Sequence, residues 1–248
     1  MTDEPPSPVR SSRFPTTRWS LVIQAGDGNS EAAREALARL CEEYWRPLYS
    51  FARRKGESAE DAKDTVKGFF ADFLGRTHLL GHVSQDKGRF RSYLRGAFEH
   101  YRKNVQRREA AARRGAGVVE LPIELDFSDG ERRHRAELAT DLDPEKLYER
   151  EWALTFMERV LSRLKNRYTV SGQLQVYEAL VPFLPKGEAP PYETLADQLG
   201  MTINSLKVTL HRIRARFGEA LREEGADVVS DPNDVEKEIR DLLAALSI

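Results

Sequence analysis

The sequence predicts an all-α protein: two helical units joined by a flexible acidic linker. Three observations predict it. Apolar residues recur at spacings of three and four through most of the 248 residues. No alternating run flanked by hairpin turns is present. The charges fall in blocks, although the formal net charge is only -1. Arg89 to Arg114 holds nine Lys or Arg against two acids, a net of +7, and residues 115–143 hold three Arg against eight acids, a net of -5. Thr202 to Arg222 holds five Lys or Arg against one acid, a net of +4, and the last 26 residues hold two basic and eight acidic side chains, a net of -6. Binding depends on local fields, so two basic blocks between acidic ones say more than the total.

Residues 1–16 are rich in Pro and Ser and predict a disordered lead-in. The first unit covers 17–114. A short helix over Thr17 to Ala25 is closed by "GDG". Asn29 or Ser30 caps a longer one, in which Leu37, Leu40, Tyr44, Leu48 and Phe51 share a face. Pro47 inside that pattern predicts a kink or a short break. Ser58 caps the next helix, whose apolar face is Ala62, Val66, Phe69, Phe70 and Phe73 and whose end is Gly75. A loop over "RTHLLGHVSQDKG" leads to a long basic helix with Phe90, Tyr93, Leu94, Ala97, Phe98 and Tyr101 inward.

Residues 115–142 have Gly, Pro, many acids and poor periodicity, and read as the linker. The second unit, 143–224, opens with Asp143 as cap and Pro144 at the first helical position. Further helices are expected over Ser171 to Leu184 and on both sides of Gly200. The extension 225–248 carries a last helix opened by Asp231 and Pro232, with Val235, Ile239, Leu242, Leu243 and Leu246 on one face.

Several classes are excluded at this level. No apolar run approaches the roughly 20 residues of a membrane span, and the N-terminus lacks the apolar stretch of a secretory signal. Cys41 is the single cysteine, at core spacing, which fits a reducing cytoplasm. His78 and His82 flank Gly81 without a third ligand, so no metal site is expected. No phosphate-binding loop, nucleophile elbow or HExxH motif occurs, and no catalytic carboxylate pair stands out. No cofactor is expected from these motifs.

"LADQLGMTINSLKVTLHRIRARF" holds the sharpest signal. Gly200 suits the left-handed residue that ends a short helix, and Thr202 suits the cap of the next. Leu206, Leu210, Ile213 and Phe217 recur at three and four. That leaves Asn204, Ser205, Lys207, Val208, His211, Arg212 and Arg214 largely outward, with no acid from Thr202 to Phe217. A helix, a tight Gly turn and a second helix with polar first turns form a helix-turn-helix pattern, in which the second helix enters the major groove. An amphipathic helix in an ordinary bundle has a similar core stripe, but its solvated face mixes signs.

The second basic block carries Arg91, Arg95, Arg102, Lys103, Arg107 and Arg108, interleaved with Tyr93, Phe98 and Tyr101. Cations match phosphates and aromatic rings stack on unpaired bases. Phe98 reads as core; Tyr93 and Tyr101 fit either role. The preceding loop, His78 to Gly88 with Gln85 and Lys87, is a candidate pocket for a flipped base.

With these units in order, the chain resembles the extracytoplasmic-function (ECF) sigma factors from about Thr17 to Arg222. "SAEDAKDTVKGFFADFL" is similar to the family's core-polymerase clamp helix, "GRFRSYLRGAFEHYRKNVQRR" to its promoter-opening helix, and "YETLADQLGMTINSLKVTLHRIRARF" to its upstream-element helix-turn-helix. The resemblance implies no catalytic chemistry of its own, core RNA polymerase and promoter DNA as partners, a cytoplasmic, nucleoid-associated bacterial protein, and a linker threading through the polymerase. An anti-sigma or other regulator is a further possible partner. It places Asp64, Lys67, Gly68 and Phe70 at the clamp, and His78, Gln85, Lys87, Arg91, Tyr93, Arg95, Arg102, Lys103, Arg107 and Arg108 at the downstream element. Asn204, Ser205, Lys207, Thr209, His211, Arg212 and Arg214 fall at the upstream element. The chain departs from the family at Lys67-Gly68, where Gln-Glu is usual, at Tyr93 for Trp, at His100 for Asn and at Thr209 for Arg. The Lys-Gly pair suggests close backbone approach by a partner or a weakened polymerase grip. Thr209 suggests that a thymine methyl is met where an arginine would meet guanine. The last helix is expected to pack on the second unit rather than dock a regulator. Two other readings stay open: a stand-alone helix-turn-helix regulator, and a sigma-like adaptor without promoter activity.

Overall fold

A computed structural model describes residues 30–75, 89–111, 125–137, 142–184, 191–229 and 231–247, and among these there is no β-strand. The helices are α1 (Glu31–Arg54), α2 (Ala59–Gly75), α3 (Phe90–Ala111), α4 (Phe127–Glu137), α5 (Pro144–Val170), α6 (Leu174–Leu180), α7 (Tyr192–Leu199), α8 (Ile203–Val228) and α9 (Val235–Ala245), with 3-10 turns at Val181–Phe183 and Pro232–Asp234. The helix expected over Thr17 to Ala25, the disorder expected over 1–16 and the loop expected from His78 to Gly88 all fall outside the described residues.

Local signals fix several helix starts. The Ser58 hydroxyl oxygen accepts the Asp61 N–H at 3.1 Å, and Asp143 accepts the Lys146 N–H at 2.7 Å with Pro144 in the first turn. Asp231 accepts the Asn233 N–H at 2.9 Å. Pro47, however, does not break the chain out of helix: α1 runs through it. Its neighbours Tyr44, Trp45, Leu48 and Phe51 are buried on both sides of it. Tertiary packing thus holds a helix that has lost one internal hydrogen bond.

The first core gathers Tyr44, Leu48 and Phe51 of α1, Val66, Phe69 and Phe70 of α2, and Phe90, Leu94 and Phe98 of α3. It is completed by Tyr148, Trp152 and Phe156 from the first half of α5. Trp152 stacks on Tyr44 with ring centroids 4.5 Å apart, and the Tyr148 hydroxyl donates to the Arg91 carbonyl at 2.9 Å. The second half of α5 supplies Leu164 and Tyr168 to a second core with Tyr177, Leu180, Leu195, Leu206, Leu210 and Ile213. The helix expected to open a separate second unit is therefore shared by both cores.

The linker expectation is also corrected over part of its length, since residues 127–137 form α4, packed on α1. Phe127 sits edge-on to Trp45 at 4.7 Å. Glu131 accepts from the Tyr49 hydroxyl at 2.7 Å and from Arg53 at 3.1 Å. Glu158 of α5 accepts from Arg46 of α1 at 2.6 Å and Arg133 of α4 at 2.7 Å, tying three helices. Residues 112–124 and 138–141 lie outside the described residues.

The last helix packs on α8 and α5, as expected of an extension that folds back. Gly225 of α8 makes room for it: a Cβ there would meet Val235 Cγ1 at 3.1 Å and Ile239 Cγ1 at 3.2 Å. Ile239, Leu242 and Ala245 join the first core rather than the second.

The seat of α4 generates two predictions. A methyl on Gly130 would lie 2.8 Å from Trp45 Cζ3 and 3.1 Å from Tyr49 Cδ1. Gly130→Ala should therefore lose about 1–3 kcal/mol in chemical denaturation, where an open helix position would gain about 1 kcal/mol. Burial raises the Glu131 pKa, but bonds from Tyr49 and Arg53 outweigh it and hold the carboxyl down at about 2, against an ordinary 4.5. Because the folded value is depressed, the contribution is whole above pH 4.5 and fades as pH falls toward 2. The stability gap between wild type and Glu131→Gln, measured by denaturation at stepped pH, should close over that window; a gap that widens there would contradict the assignment.

Candidate nucleic-acid interface

α7 ends at Gly200, whose φ of 62° and ψ of 35° are left-handed. The Met201 N–H donates to the Ala196 carbonyl at 2.8 Å and the Gly200 N–H to the Asp197 carbonyl at 3.2 Å. This paired closure satisfies the last carbonyls and turns the chain within two residues. Thr202 then caps α8, its hydroxyl oxygen accepting the Ser205 N–H at 3.2 Å. Leu206, Leu210 and Ile213 are buried against Leu195 and Ala196, which fixes the two helices as a helix-turn-helix pair.

The opposite face of α8 is open. Asn204, Ser205, Lys207, Val208, His211 and Arg212 are exposed. Lys207 extends its ammonium over the Tyr192 ring, 5.3 Å from its centroid, which steadies the cation at the start of the helix. Thr209 is half-buried and its hydroxyl donates to the Ser205 carbonyl at 2.9 Å. Arg214 departs from expectation. It is half-buried, and its guanidinium donates to the Phe183 carbonyl at 2.8 Å, holding the end of the α6 segment rather than facing outward. Arg216 lies over the Tyr168 ring at 5.1 Å.

The basic helix α3 is more strongly corrected. At about 100° per residue, Arg91 and Arg102 fall within about 20° of each other, beside the stripe of Phe90, Leu94 and Phe98. Both are buried. Arg91 pairs with Glu149 of α5 at 2.6 Å and Glu238 of α9 at 3.2 Å. Arg102 pairs with Glu57 at 2.6 Å and covers the Phe51 ring. Neither is placed to meet a phosphate in this structure. Arg95 is half-buried, 3.5 Å from Glu149 and over the Tyr148 ring. Tyr93 is half-buried near Phe73, and burial pushes its phenol pKa up. Lys103 and Arg107 are exposed, Lys103 with Glu99 beside it at 3.1 Å. His78, Gln85, Lys87 and the Arg108 side chain lie outside the described residues.

The partners of these arginines carry no signature of their own in the sequence. Glu238 is 1% exposed and takes Arg91 and Arg89 together, with Arg89 also bonded to Asp241. Burial pushes the Glu238 pKa up, against the pull of Arg91 and Arg89. The legible signal is the acidic excess of the last 26 residues, which the fold sets against the basic helix.

At the expected clamp surface, Asp64 is exposed but Phe70 is 1% exposed and belongs to the core. Lys67 is half-buried, its ammonium 5.9 Å from the centroid of the Phe127 ring of α4. Gly68 faces inward, and a Cβ there would overlap the Tyr101 hydroxyl. The close approach that its glycine permits is made by Tyr101 of α3. Glutamate at this site would collide with Tyr101 before it reached any clamp. Cys41 is fully buried, and burial, then Glu42, pushes its thiol pKa up. No helix among the described residues is long and apolar enough to cross a membrane.

The Gly68 contact generates a double-mutant test. Gly68→Ala should destabilise the protein by about 1–3 kcal/mol through overlap with Tyr101. In a Tyr101→Phe background the nearest remaining atom, Cζ, is 3.4 Å away. There the same substitution should become neutral or gain up to about 1 kcal/mol. Equal costs in both backgrounds, by urea denaturation, would show that the hydroxyl is not the obstacle.

Comparison with protein-family models, with curated proteins and with solved structures gives no match to this chain.

Proposed function

We propose that this protein is a bacterial transcription initiation factor of the ECF sigma type. In this reading it binds core RNA polymerase and directs it to promoters, with α8 reading the upstream element in the major groove. The observation that carries the reading is the α7–Gly200–α8 unit. Its Schellman-type turn and Thr202 cap present Asn204, Ser205, Lys207, Val208, His211 and Arg212 exposed on the first turns of α8, with no acid from Thr202 to Phe217. That is the geometry by which a recognition helix meets base edges and phosphates. The ordered trio of motifs resembling the clamp, opening and upstream elements adds polymerase as the partner, and nucleoid association as the location.

Within this reading, burial divides the residues among roles. Lys207, His211 and Arg212, with Asn204 and Ser205, form the reading set; Arg214 is assigned to holding the domain. On α3 the phosphate role narrows to Lys103 and Arg107, while Arg91 and Arg102 organise the fold. Asp64 is the clamp candidate left exposed. The separation of the two units along a linker belongs to the polymerase-bound state in this reading.

The decisive experiment mixes the full-length protein with bacterial core polymerase and a promoter library and sequences run-off transcripts. Transcripts from a shared promoter motif are expected. None above core alone would reject the reading, and tight sequence-specific binding without polymerase would favour a stand-alone regulator. On the selected promoter, Lys207→Ala should weaken upstream binding by ~1–3 kcal/mol. Lys103→Ala with Arg107→Ala should reduce the salt dependence by up to about 0.9 log unit per lost duplex contact.

A further inference from the structure

Cationic and polar contacts leave two apolar side chains on α8 unexplained, Ile203 at its first residue and the more exposed Val208. The large hydrophobics exposed among the described residues are Val170, Ile203, Val208 and Leu243, and two of the four fall in the first two turns of this helix. Val208 is 51% exposed. Its neighbours one turn before and after are Asn204, Ser205, His211 and Arg212, all exposed. The core residues Leu206 and Leu210 each lie about 200° around the helix from it. Val208 therefore points almost directly away from the core, at the centre of a polar, acid-free face. An isopropyl group there leaves apolar surface in water, and valine is a weaker helix former than alanine or lysine.

A convex helix that enters the major groove reaches deepest with the residue opposite its core stripe. Valine neither donates nor accepts a hydrogen bond. The apolar feature that a major groove offers it is the C5-methyl of thymine. The surrounding lysine and arginine favour a polyanion over an apolar protein surface. Thr209, the sequence-level candidate for a thymine contact, is half-buried with its hydroxyl bonded to the helix backbone, which leaves Val208 as the apolar group at the centre of this face.

We propose that Val208 is a specificity-determining residue that reads the methyl group of one thymine near the centre of the upstream element. This rests on the promoter-binding reading above. The test uses full-length protein bound to core polymerase and the upstream duplex that it selects from a randomised library. Each thymine is replaced in turn by deoxyuridine, which removes the methyl and nothing else. Wild type should bind roughly fourfold more weakly at one position, the worth of one buried methyl. Val208→Ala should be indifferent to the replacement at that position and bind both duplexes as wild type binds the deoxyuridine form. The variant should fold, because the site is exposed and alanine is the better helix former; unchanged far-UV circular dichroism checks this. Wild type insensitive to every replacement, or Val208→Ala with the same sensitivity as wild type, overturns the proposal while promoter binding stands. A selection that returns no upstream motif removes promoter reading itself, and this proposal with it.

Discussion

The stack of Trp152 on Tyr44 is the contact on which the rest of the arrangement depends. The rings lie 4.5 Å apart and within 14° of parallel, and Phe90 meets Tyr44 edge-on at 5.2 Å. Such a cluster contributes burial and ring geometry together. Its larger consequence is orientation. α5 is one 27-residue helix, so seating Trp152 in the first core fixes the direction of everything beyond it. Tyr168, about 24 Å further along, then forms part of the floor under α6, α7 and α8. The exposed face of α8 is aimed by an aromatic contact made at the other end of a helix that it does not contain.

Charge sorts along the same framework. The acidic last block of the sequence is set against the start of the basic helix α3, with Glu238 and Asp241 on Arg89 and Glu238 on Arg91, which Glu149 of α5 also meets. Arg159 joins Glu43 of α1 to Glu224 of α8, the latter 1% exposed. Buried pairs add little net stability when desolvation is counted. Their effect is register, because only one seat of α9 brings Glu238 to both arginines. Lys103 and Arg107 on α3 and Lys207 and Arg212 on α8 stay exposed, and among the described residues none is drawn into a buried pair of this kind.

Close approach explains the glycines better than exposure does. Gly68, Gly130 and Gly225 each face a neighbouring helix, and at each a Cβ would crowd a named side chain. Three helix-interior residues of poor propensity are thus kept by packing. Gly68 illustrates the risk of reading such a residue outward, since its neighbour Tyr101 lies on α3, 33 positions along the chain.

The sequence by itself determined the helices with strong periodicity and clear caps, at Ser58, Asp143 and Thr202, and the left-handed turn at Gly200. Caps and turns are local, made within a few residues, so composition and spacing reveal them. The exposed outer face of α8 was legible for the same reason: its core stripe left a defined opposite side, from which Arg214 and, in part, Thr209 turned out to be drawn inward. Other features had no local signature. α4 is held by Phe127, Gly130 and Glu131 against α1, a stripe too poor in apolar residues to read as a helix without its partner. Arg91 and Arg102 looked like phosphate contacts because the carboxylates that claim them are 147 and 45 residues away, at Glu238 and Glu57. Pro47 stays helical because both flanks are buried. Tertiary structure decided these because each depends on which distant side chain arrives, and periodicity along one helix carries no record of that.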